Sequence, residues 1–336
     1  MLNRIGNTTD LGALTVDAGT GGTISLKADV ETTETVTFQN TSELDLASSV
    51  DITASGTSDI LASTGVTAID FSGTGTNVLT ATGGDINLAE VGDTANVTEL
   101  QLIGENVTLA AVTLDNGGTP NLNIDLDGAA DDGVKTLTIN GAIDVSTLTV
   151  DGVGSDDTIT LSNNVTVDTN LDLQTNVSSI TLAANSVIDV GAGGVDQSLS
   201  LADITGDFDL DVTGDTASAI SLKSVDANSL DVTGTLTLND NVTVDANLDL
   251  DTNVASITLA ASSVIDVAAG GADQAITLAD VTGDFDLTLT GDSASAVGLN
   301  AVDVDALAVT GTLTLNDNIT LDDSCLLYTS PSPRDS

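Results

Sequence analysis

Histidine and tryptophan are absent from this 336-residue chain, and cysteine and tyrosine occur once each. Without histidine, neither a Ser/His/Asp nor a Cys/His catalytic arrangement can be assembled. A single cysteine, Cys325, cannot form an internal disulfide, so cross-links do not hold the fold. Positive charge is almost missing as well: five Lys/Arg stand against 51 Asp/Glu, a net charge of −46. Nucleic-acid binding needs clustered Lys/Arg and is excluded. Anionic lipid surfaces would repel the chain. No apolar run approaches the ~20 residues of a spanning helix, so no membrane span is expected.

Hydrophobic residues make up 40% of the chain, which argues against disorder despite the charge. They are mostly Val, Ile, Leu and Ala, with four Phe. All six Glu fall within the first 105 residues, and every other acidic residue is Asp. So many unpaired carboxylates favour solubility and oppose compaction. That balance points to a salty or calcium-containing setting, with weak, diffuse calcium binding and no dedicated cofactor.

The organisation of the chain is repetitive. Residues 161–237 and 238–314 are two copies of one unit that align without a gap, Leu161 on Leu238 and Thr237 on Thr314, with 54 identical positions. A third copy opens at 315 and continues to 323, and residues 1–160 keep the same texture with a drifting period. Val107–Thr113, for example, echoes Ile276–Thr282. Repetition on this scale is the signature of a solenoid, in which each unit packs on its neighbours.

Within the repeat, short period-two runs alternate with Gly/Asn/Asp/Ser corners, and no sustained helical period is present. Nine strands are predicted per unit, centred near Thr243, Asp249, Thr258, Ile265, Thr277, Leu287, Gly298, Ala308 and Thr314. Three faces per coil then give three coils of about 26 residues per unit and 12–13 coils in all, while a narrower coil of around 20 residues also fits some spacings. In this reading Phe285, Leu287 and Leu289 point inward, and Asp284, Asp286, Thr288 and Thr290 outward. Repeat mates such as Phe208/Phe285, Val187/Val264 and Leu210/Leu287 stack above one another. The predicted fold is an all-β parallel β-helix; a string of Ig-like sandwiches is disfavoured by the missing Trp and the 77-residue length.

Both ends depart from this text. Cys325–Asp335 holds the only Cys and Tyr and two of three Pro, and it resembles what a short-read sequencing adapter encodes in one frame. Residues 324–336 are therefore read as a non-native tail. Met1–Ser25 carries no apolar or basic leader, and Met1 reads as an internal start. Uncapped terminal coils would invite self-association edge to edge.

Candidate chemistry is sparse, and no catalytic or cofactor residue is assigned. Asp207/Asp209 and Asp284/Asp286 are paired carboxylates, but they share one strand face and recur in each copy, as a solvated surface does. Lys223, a candidate base, becomes Asn300 in the next copy, and Arg4 lies at the extreme N-terminus. Calcium could use the Asp-bearing turns at Gly214-Asp215, Gly291-Asp292, Gly194-Val195-Asp196 and Gly271-Ala272-Asp273, although no EF-hand or Gly-rich calcium nonapeptide occurs, and metal ligands are left unknown. Thr136/Thr138, Thr288/Thr290 and Thr312/Thr314 have the spacing of an ice-binding ladder, yet most coils offer only one Thr. Gly73-Thr74-Gly75 reads as a turn, since neither a helix nor a Lys follows. Asn7, Asn40, Asn96 and Asn106 head Asn-x-Ser/Thr triplets that such a composition produces by itself.

The cadence Leu236–Val244, Val264–Gly271 and Ala306–Gly311 resembles the repeat arrays of bacterial filamentous-haemagglutinin-like surface proteins. That resemblance covers most of residues 1–323 in texture and period and carries over no functional residue. It implies a right-handed parallel β-helix, secretion to the cell surface or exterior, and a structural or adhesive role without catalysis. The partner would be a surface ligand, carbohydrate or host matrix. A calcium-dependent acidic solenoid, the spacer of a carbohydrate-active enzyme and an ice-binding solenoid are the alternatives.

Overall fold

A computed structural model describes residues 4–5, 11–92, 97–114, 118–126, 133–152, 156–194, 196–271, 273–322 and 326–328. The chain is all-β and forms a parallel β-solenoid of about 13 turns. One 3-10 turn, Ala268–Gly270, is the only helical element among the described residues. Two compact units are present, Met1–Ser179 and Ile180–Ser336.

In the first unit three columns of aliphatic side chains run through stacked parallel strands. One column is Val30, Ile52, Leu79, Leu102, Ile124 and Val150. The second is Val36, Ile60, Ile86, Val107, Leu137 and Ile159. The third runs from Ile24 through Leu44, Ile69, Val91, Val112 and Ile143 to Val165. All are buried, and Phe38 and Phe71 join them inside. Each strand inserts alternate residues, as Thr76–Ala81 shows with Asn77, Leu79 and Ala81 inward. Asn77 is the polar exception: its Nδ2 donates to the carbonyls of Ala47 and Val50 at 2.9 and 3.2 Å.

The second unit has the same plan. Leu199, Ile220, Leu236, Ile257, Val281 and Val302 form one column. Ile204, Val225, Val242, Ile265, Leu289 and Val309 form another. A third contains Leu248, Ile276, Val297 and Leu313. Leu326–Tyr328, part of the segment read as a tail, pairs with Ala308–Thr310 as a further strand of the Ile204 column.

The strand count corrects the sequence reading. Residues 238–314 hold eleven strands, not nine. All nine expected ones are present; Val281–Gly283 and Val302–Val304 are the two additions. At three strands per coil, eleven strands make three and two-thirds coils per copy, shorter coils than expected. Thr237 and Thr258, in register on adjacent coils, lie only 21 apart in sequence. A repeat that is not a whole number of coils cannot stack on itself. Leu199 and its mate Ile276 occupy different columns. Val281, the mate of Ile204, continues the Leu199 column. Leu287, the mate of Leu210, lies on a strand of the Ile204 column. Each copy is thus turned by one face relative to the last, and the expected stacking of Leu210 with Leu287 and Val187 with Val264 does not occur. Aliphatic still lies above aliphatic, because every column is built from the same residue types.

Phe285 is the other correction. Leu287 and Leu289 are buried as expected, but Phe208 and Phe285 are both 37% exposed. The preceding glycines, Gly206 and Gly283, have φ of 143° and 148°. A Cβ on Gly283 would lie 2.6 Å from the Leu259 carbonyl oxygen. The backbone turns there, so the strand alternation restarts after the corner and leaves the phenylalanine outside it.

Aspartate builds many of these corners. Asp172 accepts the Thr175 hydroxyl and the N–H groups of Gln174 and Thr175, and its mate Asp249 repeats this with Asp251 and Thr252. Asp189 accepts Gly191 N–H and its mate Asp266 accepts Ala268 N–H. At Gly214-Asp215 the fully buried Ser218 hydroxyl accepts the Asp215 N–H at 2.9 Å. At Gly291-Asp292, Ser295 does the same at 2.8 Å.

Candidate functional site

Side chains pointing away from the columns form ladders whose register follows from the pairing. One acidic stretch lies in the second unit, where Asp211 and Asp231 stand side by side on adjacent strands. With Val212, Thr213, Thr233 and Asn253 they line an open groove of ≈ 120 Å³. Next to it, Asp209 accepts Asn228 Nδ2 at 2.6 Å, Ser229 Oγ at 2.7 Å and Asn185 Nδ2 at 2.8 Å.

These neighbours titrate in opposite directions. Hydrogen bonds from Asn228, then Ser229 and Asn185, hold the Asp209 carboxyl below its ordinary value. Partial burial, then the charges of Asp231 and Asp209, push Asp211 above it. Asp249 is held low first by the Thr252 hydroxyl. At Asp172 partial burial opposes the effect, but the Thr175 and Gln174 hydrogen bonds prevail. A carboxyl raised in the folded state favours folding when protonated and loses that contribution as pH rises through its folded pKa. Its window therefore opens at the ordinary value of 3.8 and extends upward. Asp211→Asn is expected to raise the melting temperature at pH 7 and to leave it unchanged at pH 3, as thermal melts at the two pH values would show. Asp17, held low first by the Asn40 amide, joins Asp172, Asp209 and Asp249; these lowered carboxyls act in the opposite sense, and their contribution is lost as pH falls below 3.8.

The Asp211/Asp231 pair was not visible in the sequence, where the two residues lie 20 apart in different strands. It also does not recur: their mates are Thr288 and Ala308. Of the pairs singled out beforehand, Asp207/Asp209 adjoins this groove. Asp284/Asp286 lies at the corresponding corner without its supports, Asn185 and Asn228 being replaced by Ser262 and Asp305. Asp286 N–H donates to Ser262 Oγ at 3.3 Å. Val195 and Ala272 lie outside the described residues, so the Gly194–Asp196 and Gly271–Asp273 turns are described only in part. Among the described residues no group of three or more Asp/Glu/Cys/His is placed to hold a metal ion.

Asn300, the repeat mate of Lys223, is hydrogen-bonded through both ends of its amide. Asn300 Nδ2 reaches Asp251 at 2.6 Å, 49 residues back, and its Oδ1 accepts Asn316 Nδ2 at 3.2 Å. In the first unit Lys135, 7% exposed, pairs with Glu105 at 3.6 Å, and its N–H donates to the buried Asp157 at 2.9 Å.

Threonine ladders form in places. Thr136 and Thr138 pair with Thr158 and Thr160, and the Thr136 and Thr158 hydroxyls are 3.1 Å apart. Thr288/Thr290 face Ala308/Thr310 on one side and Val264/Asp266 on the other. Thr312/Thr314 face Ala296/Gly298. A longer row went unseen in the sequence: Ser200, Ser221, Thr237, Thr258 and Thr282 stand in register, and after Asp303 the row resumes at Thr320. Unequal coil lengths hide it.

The remaining motifs are structural. Gly73 and Gly75 lie against Ser48 and Ser49 in a tight bend. Asn40 Nδ2 donates to Asp17 at 2.9 Å, and Asn106 Nδ2 to Asp85 at 2.8 Å; Asn7 and Asn96 fall outside the described residues. No helix among the described residues is long and apolar enough to cross a membrane. No protein-family description, curated protein or solved structure matches the chain.

Proposed function

We propose that this chain is a structural stalk or adhesive segment of a large secreted bacterial surface protein of the filamentous-haemagglutinin-like kind, and that it is not an enzyme. The observation that carries this reading is the pairing pattern: each strand bonds in parallel to the coil before it and the coil after it, so repetition adds length. Corner aspartates keep the flanks hydrated and the backbone turned. Partners are then surface ligands met along the segment, carbohydrate or host matrix, outside the cell.

Inserting one further 77-residue copy after Thr314 tests the spacer role. Three and two-thirds coils at ~4.8 Å per strand add about 18 Å to the long dimension in solution scattering. On cells, an adhesive tip mounted on the longer chain should reach correspondingly farther. An increment near that of a separate globular domain, or no change in reach, refutes the spacer.

The Asp211/Asp231 pair supports a second reading, an acidic solenoid stabilised by calcium. In-register carboxylates on adjacent coils repel, and a shared divalent cation relieves that repulsion.

A further inference from the structure

The second unit contains a device that its fold does not require. Gly206 pairs with Ala227 and Asp209 with Ser229, so Asp207 and Phe208 together oppose the single residue Asn228. In the next copy Gly283 pairs with Val304 and Leu287 with Leu307, so three residues, Asp284–Asp286, oppose two. Each copy therefore inserts one extra residue at the same place. Such bulges re-aim a side chain. Here both bulges set a phenylalanine outside, 37% exposed in each copy, although the two corners lie on different faces with different neighbours. The other two phenylalanines, Phe38 and Phe71, are buried. Phe208 and Phe285 therefore stand outside the buried columns.

In sequence, carboxylates flank both phenylalanines: Asp207 and Asp209 flank Phe208, and Asp284 and Asp286 flank Phe285. Asp209 is held in place by three donors. An exposed aromatic face with acidic neighbours in the chain suits a guanidinium or ammonium group, which the ring attracts through its quadrupole and the carboxylates through charge. A chain of net charge −46 also draws cationic partners toward it.

We infer that the Gly-Asp-Phe-Asp corners at 206–209 and 283–286 are repeated docking elements for arginine- or lysine-bearing segments of a basic partner protein. The face-by-face turn of the repeat places successive elements on different sides of the second unit. A basic partner can thus occupy both without crowding. This goes beyond the stalk reading and stands or falls separately from it.

The test uses the full chain labelled with 4-fluorophenylalanine and titrated with an octa-arginine peptide, the fluorines being assigned with single Phe→Leu variants. Expected are saturable shifts of the fluorines at 208 and 285, with those at 38 and 71 unmoved. Phe208→Leu and Phe285→Leu should each weaken binding about two- to fivefold at their corner, with melting temperature retained. Equal affinity in the double variant would reduce the interaction to the general field and overturn the inference. So would shifts produced by a neutral oligosaccharide in place of octa-arginine, or by raising the protein concentration alone.

Discussion

Calcium chloride is expected to raise the apparent melting temperature of this protein well above the level that sodium chloride reaches at equal ionic strength. Both salts screen the charge of −46, with a Debye length of roughly 8 Å at 0.15 M. Screening alone acts weakly on carboxylates in adjacent coils, which are only about 4.8 Å apart along the stack. Asp45 and Asp70, Asp125 and Asp151, and Asp211 and Asp231 are paired in this way. A divalent ion held by both carboxylates replaces repulsion with attraction. At ten times its dissociation constant, each such ion stabilises the folded state by about 1.4 kcal/mol. That corresponds to a rise of roughly 3–6 °C per occupied site in a unit of this size. Asp211→Asn combined with Asp231→Asn should remove one site's share of the calcium increment and leave the sodium response intact. Calorimetric scans in the two salts measure both. Equal responses to calcium and sodium would show that the carboxylates act as a diffuse field only.

Gly283→Val is expected to melt the second unit. Its φ of 148° is closed to a β-branched residue, and the added Cβ would sit 2.6 Å from the Leu259 carbonyl oxygen and 3.0 Å from the Leu259 Cβ. Backbone strain and overpacking each cost about 1–3 kcal/mol, so together they take away a large part of a marginal stability. Gly271→Ala is the matched control. Gly271 also has positive φ, 65°, but nothing lies within 4 Å of its Cβ position. Only the left-handed penalty of about 1–2 kcal/mol remains. Urea titration of both variants separates the two costs. Similar midpoints would mean that the corner at Gly283 is not closed against Leu259.

Fold class and strand positions were legible in the sequence because a period of two survives in segments as short as Val242–Val244 and Leu248–Leu250. The two strands missed, Val281–Gly283 and Val302–Val304, are three residues long and run straight into a corner. Each begins only two residues after its predecessor, Ile276–Leu278 or Ala296–Leu299, so the sequence reads each pair as one strand and its turn. Counting them changes the arithmetic from three coils per repeat to three and two-thirds, and with it which residues share a face.

Register was the least legible feature. In the second unit the sequence separation between stacked neighbours ranges from 16, between Ile220 and Leu236, to 28, between Leu248 and Ile276. The corners absorb this difference while the aliphatic columns stay aligned. No fixed spacing therefore marks Asp211 against Asp231, or Ser200 in line with Thr282. The outward Phe285 was misread for a related reason. Its alternation with Leu287 and Leu289 looks continuous in the text, but the bulge after Gly283 breaks it.

The measurement that bears most directly on the turned, three-faced solenoid is disulfide trapping in a chain with Cys325 replaced by Ser. Thr237→Cys with Thr258→Cys joins residues in register on adjacent coils, 21 apart in sequence. Parallel neighbours at that separation fall within disulfide reach. Thr216→Cys with Ser293→Cys joins repeat mates, 77 apart, that the turn places on different faces. The expected result is rapid intramolecular cross-linking of the first pair and none of the second. Cross-linking of the second pair without the first would contradict the architecture.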